Sequence, residues 1–248
     1  MKNSKQIKGA IHLHTTLSHD GTLSLDQLTG FLREHSYQFL AITEHSYDID
    51  YANMINLANN CEKLSSEEFL VIPGIEYRCH DDIDILGFGV IKPCNSDDPI
   101  AIINHIHEND GVAVLAHPTI RNYPMEEEWV KLLDGVEFWN VQEGKYFPQA
   151  RTVRKFRQLH KWQPKLWAFC GLDLHRLTSF YPIFAVVDVD QGSKADILRA
   201  FKEGRFFSRS PIFNVGSTGK LGIVSFLYML VGSSTLNLLR AVRDFVKK

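Results

Sequence analysis

The sequence predicts an α/β protein, assembled from β/α units around a parallel sheet or barrel, and two observations carry that prediction. Short β-branched or apolar runs at 10–13, 39–43, 69–72, 83–90, 112–116, 136–139, 166–170 and 183–189 alternate with stretches of helical spacing, the pattern of strands joined by crossover helices. The second observation is size. A chain of 248 residues with 44% hydrophobic and 23% charged side chains suits one α/β barrel and excludes disorder, collagen and coiled coil.

Each element has a local cause. After the first run, Ser24 and Gln27 form a capping box, and Leu25, Leu28, Phe31 and Leu32 give the helix behind it an apolar stripe. After the run at 83–90, Asp98-Pro99 supplies an N-cap and a proline at the first helical position. Between the runs at 136–139 and 166–170, Val153, Phe156 and Leu159 form a partial stripe on a helix that also carries Arg151, Arg154, Lys155, Arg157 and Lys161. Ser193 and Asp196 start another helix after the run at 183–189. Beyond it, residues 221–239 hold no charge. Only 221–231 is continuously apolar, and Gly232-Ser233-Ser234-Thr235 is expected to break it before a second amphipathic stretch through Leu236, Leu239, Val242 and Phe245. A run of that length predicts a docking or interfacial helix rather than a membrane span.

Charge is distributed unevenly. Lys and Arg number 27 and Asp and Glu 29, a net −2, yet residues 1–144 carry −14 and residues 145–248 carry +12. Such asymmetry points to an anionic partner, while the small net charge argues against a long nucleic-acid track. The four cysteines, Cys61, Cys79, Cys94 and Cys170, are widely spaced, so neither a disulfide framework nor a thiolate zinc site is expected. The N-terminal stretch has no apolar signal core. A cytoplasmic location is expected, with peripheral membrane contact through the C-terminal tail.

The residues that carry chemistry fall at strand ends. His12 and His14, at i and i+2, leave one face of a strand and can share an ion. Asp173 and His175 repeat the geometry, and His45, Glu76 and His117 each follow an apolar run. Five strand ends then converge on one mouth of a barrel, where such folds build their sites.

The segments HLHTTLSHDG, ITEH, GIE, AHP and GLDLH resemble, in order and spacing, the motifs of the polymerase and histidinol phosphatase (PHP) superfamily of metal-dependent phosphoesterases. The resemblance runs over residues 9–210 and implies a distorted barrel of seven β/α units, a (β/α)7 barrel of the PHP type. It also implies two or three divalent metal ions, zinc, manganese or iron. On this reading residues 1–210 are the phosphoesterase domain and 211–248 a hydrophobic and basic helical extension.

Carried over by position, His12, His14, Glu76 and Asp173 hold a first ion and Asp20, His45 and His175 a second. Glu76 reaches a third, shared with His117 and with Asp84, which stands where the family usually has histidine. His80 is the substitute if its loop folds back. Glu44 replaces a more usual aspartate as a non-ligand. The implied chemistry is attack on phosphorus by hydroxide held between ions, around Glu76, Asp173 and His175, without a serine or cysteine nucleophile. Arg176 and Asn140 are the candidate substrate contacts, whereas His19, His35, His105 and His107 are expected to lie outside the site.

The expected activity is a phosphoesterase on a small phosphomonoester or nucleotide. An exonuclease on short oligonucleotides and a catalytically silent binding module are the alternatives.

Overall fold

The computed structural model describes residues 5–121 and 123–246, the last stretch, 236–246, through its backbone alone. Among the described residues twelve strands form two six-stranded sheets. They are β1 (Lys5–Ile11), β2 (Phe39–Ala41), β3 (Glu44–His45), β4 (Leu70–Ile72), β5 (Gly74–Arg78), β6 (Asp84–Phe88), β7 (Val112–Leu115), β8 (Gly135–Asn140), β9 (Trp167–Gly171), β10 (Phe184–Val189), β11 (Phe206–Arg209) and β12 (Asn214–Gly216). Around them lie α1 (Leu25–Glu34), α2 (Tyr51–Leu64), α3 (Pro99–Glu108), α4 (Glu127–Val130), α5 (Val141–Gly144), α6 (Ala150–Trp162), α7 (Lys194–Glu203) and α8 (Ile223–Val246).

One sheet runs β12-β11-β10-β1-β2-β4 and the other β3-β5-β6-β7-β8-β9. They are joined because β2 leads directly into β3 and β4 into β5, with Pro73, which lacks an N–H, marking the second crossing. The ring closes where Leu172 N–H donates to Ile11 O at 3.0 Å and His14 N–H to Leu174 O at 3.0 Å. The result is an α/β barrel whose staves are β1, β2/β3, β4/β5, β6, β7, β8 and β9, distorted by the two crossings.

The expectation of uniform β/α units is corrected at two places. Strand β6 is antiparallel to both β5 and β7. Only residues 79–83 connect β5 to β6, far fewer than the dozen or so a parallel crossover needs, so the chain must turn back. Strand β10, read as another β/α strand, instead lies antiparallel on β1 and carries β11 and β12 outside the ring.

The capping boxes at Ser24 and Ser193 and the Asp98 cap are all formed, and Asp50 with Asn53 makes a further box at the start of α2. The break expected at Gly232–Thr235 is absent, and α8 continues through it. Ser233 Oγ donates to Leu230 O at 3.1 Å and Thr235 Oγ1 to Val231 O at 2.9 Å, so both hydroxyls are satisfied inside the helix. A Cβ at Gly232 would sit 2.4 Å from the Phe147 ring, so this glycine lets the helix approach the barrel. Residues 211–222 are not helical; they include β12 and the buried side chains of Phe213 and Val215. Among the described residues no helix is long and apolar enough to cross a membrane.

Candidate metal centre

The parallel strands deliver their ligands at one end of the barrel. His12 and His14 follow β1, His45 ends β3, Glu76 lies in β5, Asp84 opens β6, His117 follows β7, and Asp173 and His175 follow β9. Three of these residues have left-handed backbone without being glycine: His12 at φ 60°, His117 at φ 26° and Asp173 at φ 46°. Such conformations cost of order 1–3 kcal/mol each and persist where the surroundings impose them, often at functional sites.

The side chains converge in three overlapping groups. In the first, His12 Nε2 lies 3.5 Å from Glu76 Oε1 and 3.6 Å from Asp173 Oδ1, and His14 Nε2 lies 3.5 and 4.0 Å from Glu76 Oε2 and Asp173 Oδ1. In the second, Asp20 Oδ1 is 3.3 Å from both His45 Nε2 and His175 Nε2, which are 3.4 Å apart. In the third, His117 Nε2 is 3.1 Å from Glu76 Oε1 and 3.8 Å from Asp84 Oδ2. Glu76 therefore reaches a histidine of each group, with His45 Nδ1 at 2.9 Å from its Oε2.

These separations fit divalent cations. Four ligand atoms at about 2.1 Å from an ion stand about 3.4 Å apart in a tetrahedron. His12 Nε2, His14 Nε2 and Asp20 Oδ1 are moreover buried without a hydrogen-bond partner, a costly state for polar atoms unless a ligand completes it. Subsets of the cluster, His12 with His14 and Asp173, His12 with Glu76 and His117, and His14 with His45 and His175, each bring their donor atoms within 4.8 Å of one another. The donors are imidazole and carboxylate, a set that suits first-row divalent ions.

Electrostatics point the same way. Burial opposes ionisation of Glu76, but the imidazoles of His12, His117 and His45 hold its carboxyl well below the usual range. Burial likewise opposes protonation of His12, yet Glu137, Glu76 and Asp173 hold it well above its ordinary value, and His117 is raised to about 9, chiefly by Glu76. His14 goes the other way, pushed down by burial and by the histidines around it. Bound cations would replace those protons as the counter-charge of the carboxylates.

Neighbouring side chains fix the ligands. His12 Nδ1 lies 2.6 Å from Glu137 Oε1, an arrangement that leaves Nε2 directed at the cluster. Glu137 also accepts from His117 N–H at 2.8 Å and Asn140 Nδ2 at 3.0 Å. A Cβ at Gly171 would stand 1.6 Å from Glu137 Oε1, so glycine is required there. Buried Glu44 accepts from Thr15 N–H at 3.0 Å, Thr15 Oγ1 at 2.5 Å and Ser18 Oγ at 2.6 Å, pinning the turn that presents Asp20.

The remaining expected residues are placed as follows. Asn140 is buried, donating to Glu137 and, at 3.3 Å, to Asp173 Oδ2, while its own oxygen accepts from Gln142 N–H at 2.8 Å. Both ends of this amide are used inside the protein, so it positions Asp173. Arg176 is exposed and directly follows His175 in the chain. His80 does not fold back; it is exposed and pairs with Asp81 at 3.0 Å. His19 sits on the rim, 2.8 Å from Asp48, and His35 is exposed at the C-terminal cap of α1. His105 and His107 bond Lys92 O and Asp134 on α3.

Arg78 was not anticipated. Its guanidinium binds Asp84 Oδ1 and reaches Asp82 at 3.3 Å. Two residues beyond Glu76 on β5, it shares that residue's face, and this period-two spacing was the signal in the sequence. Asp84 thereby divides its carboxylate between Arg78 and the cluster. Burial and Glu76 raise its pKa, against the pull of His117 and Arg78.

No family model matches the chain. The chain is 30% identical to the DNA polymerase/3'-5' exonuclease PolX of Bacillus subtilis over an alignment of 146 positions that covers 47% of this chain and 24% of that protein, so the chain spans about a quarter of this relative's length. Among solved structures, a two-domain Bacteroides vulgatus protein containing a predicted PHP-like metal-dependent phosphoesterase superposes with a TM-score of 0.59 at 14% identity, covering 86% of this chain and 67% of that one. An amidohydrolase from Chromobacterium violaceum, with sulfate bound and no metal, gives a TM-score of 0.52 at 14% identity, covering 80% of this chain and 96% of that one. The chain therefore has the fold of the PHP-like metal-dependent phosphoesterases and carries on it, in order, the ligand motifs by which its sequence resembles that superfamily.

Proposed function

We propose that the protein hydrolyses a small phosphomonoester or nucleotide with two or three divalent ions bound. The observation that carries this reading is the buried set of unpartnered imidazole and carboxylate atoms around Glu76. His12, His14, Glu76 and Asp173 would hold one ion, Asp20, His45 and His175 a second, and Glu76, His117 and Asp84 a third. Bound there, such ions lower the pKa of coordinated water toward 7 and neutralise charge on a phosphoryl group. Zinc, manganese or iron fits this donor set, and the Asp84 oxygen in place of an imidazole favours the harder manganese or iron.

The chain's own residues do the rest. His12 and His14 are fully buried, whereas Asp20 is 40% and His175 21% exposed, so substrate meets the cluster from the Asp20–His175 side. Arg176 stands exposed next to that side and can clamp phosphate through two N–H groups. Beyond His117, a cavity of about 350 Å³ is lined by Thr119, Arg121, Arg151, Arg154, Lys155 and Gln158. Arg121 and Arg151 pair with Asp82 at 3.1 Å and Glu143 at 3.6 Å, and with Arg154 and Lys155 beside them the cavity suits a substrate with further negative charge.

That cavity also favours a second reading, removal of nucleotides from short oligonucleotides, in line with the exonuclease activity in the name of the Bacillus subtilis relative. The free cysteines, three of them buried, support a reducing cytoplasm. Metal content combined with phosphate release from p-nitrophenyl phosphate, nucleoside monophosphates and short RNA tests the proposal. Bound metal with turnover is expected, and Asp173→Asn or His14→Ala should abolish that turnover with the fold intact. Less than one metal per chain together with no release would remove both enzyme readings, and RNA as the best substrate would select the second.

A further inference from the structure

Over residues 223–231 the outer face of α8 is apolar where a soluble helix would be polar. Ile223, Val224, Leu227, Tyr228 and Val231 are 82%, 80%, 54%, 50% and 65% exposed. Their spacing puts them on one side of the helix, while Met229 on the other side is buried and Phe226 and Leu230 pack against the core. A contiguous exposed stripe of this kind marks a surface that something covers.

The charge around the stripe identifies what covers it. Residues 144–172 contain seven Lys and Arg and no Asp or Glu, and residues 204–243 contain five and none. The fold brings these two acid-free segments together. The Arg157 guanidinium on α6 stands 5.4 Å from the centre of the Phe226 ring on α8. A cavity of about 370 Å³ between them is lined by Phe156, Arg157, His160, Thr218, Lys220 and Leu221. Arg209 lines another cavity together with Tyr228. The apolar stripe is thus framed by cations with no carboxylate from either segment.

A second copy of the chain is a poor cover, because a two-fold contact sets the same surface against itself and opposes cation to cation. An anionic lipid surface meets both features: apolar side chains enter the boundary between headgroups and acyl chains, and Lys and Arg meet the headgroups. The stripe is about 12 Å long at 1.5 Å per residue, against a hydrocarbon core of about 30 Å, so the helix would lie in the interface rather than cross it.

We propose that the apolar stripe of α8, with Arg157 of α6 and Lys220 beside it, docks the protein on anionic membranes. This surface shares no residue with the metal cluster or with the cavity lined by Arg151, Arg154 and Lys155, and docking there does not depend on the reaction proposed for the cluster.

The test is co-sedimentation of the full chain with vesicles of phosphatidylcholine alone or mixed with phosphatidylglycerol, across a salt series. The wild type should sediment with the mixed vesicles, remain largely free with phosphatidylcholine alone, and be released by salt. Leu227→Asp with Val231→Asp should weaken binding by about ten-fold or more. Lys220→Glu with Arg157→Glu should weaken it and flatten the salt dependence. Thermal melting of each variant checks its fold, and the wild-type comparison of the two vesicle types stands without any variant. Wild type that stays free of both vesicles, or binds both equally, overturns the proposal. So does a dimer, seen by sedimentation velocity, that the Leu227 and Val231 substitutions dissolve while no vesicle binding is found.

Discussion

Glu137→Gln isolates the group that sets the His12 tautomer. The carboxylate lies 2.6 Å from His12 Nδ1 through Oε1, and through Oε2 it accepts from His117 N–H at 2.8 Å and Asn140 Nδ2 at 3.0 Å. Glutamine keeps the volume but offers one accepting oxygen and one NH₂. With its oxygen at the Oε1 position, the NH₂ faces two donors, leaving buried N–H groups unsatisfied at about 1–3 kcal/mol each. With its oxygen at the Oε2 position, those two bonds survive and the NH₂ faces His12 Nδ1, which must then accept. That second arrangement wins, and it moves the imidazole proton to Nε2, the atom aimed at Glu76 and Asp173. Stability should change by about 1 kcal/mol while metal affinity falls about 10–100-fold, or about 1.4–2.7 kcal/mol. Thermal melts and a competition titration against a chromophoric chelator measure the two effects. Metal affinity within about two-fold of wild type in a folded variant would refute the role assigned to Glu137.

Further expectations follow from the same geometry. Gly171→Ala puts a Cβ into the Glu137 carboxylate, so it should displace that side chain and lower metal affinity as Glu137→Gln does, read by the same titration. Glu44→Ala leaves the Thr15 N–H, Thr15 hydroxyl and Ser18 hydroxyl without their acceptor and should cost at least about 3 kcal/mol in denaturant unfolding. It should also weaken the ion at Asp20 most. For metal-free protein, burial opposes protonation of His117, but Glu76 and other carboxylates raise its pKa to about 9 from 6.5. A raised histidine stabilises fully below its unfolded value, so this contribution should fade as pH rises from 6.5 through about 9 and be absent from His117→Gln, as melts across pH will show.

The convergence of the candidate ligands was legible in the sequence because strand geometry is periodic. His12 with His14 and Asp173 with His175 declare a shared face by spacing alone, and their convergence follows once the strands lie side by side. Asp84 was legible as a ligand position but not as half of an ion pair, since only the antiparallel return from β5 to β6 brings it onto Arg78. That return is forced by the five-residue connection at 79–83, which is too short for a crossover helix. Asn140 was ambiguous because a polar residue at a strand end fits substrate contact and internal support equally well; Glu137 is on its own strand, but Asp173, which follows β9, reaches it only in the folded chain. The α8 break misled for another reason: Gly232 and Ser233 look like breakers until Phe147 and the carbonyl of Leu230 are in place beside them.

The central claim is that the Glu76 cluster binds divalent ions and hydrolyses phosphate esters with them. Its most direct test is phosphate release from p-nitrophenyl phosphate by protein stripped with chelator and titrated with manganese or zinc, metal per chain being counted at each point. The account predicts no release from stripped protein and a rate that climbs with occupancy until the cluster is full. Release that persists without metal, or a filled cluster that releases no phosphate from any ester in the panel, would contradict it.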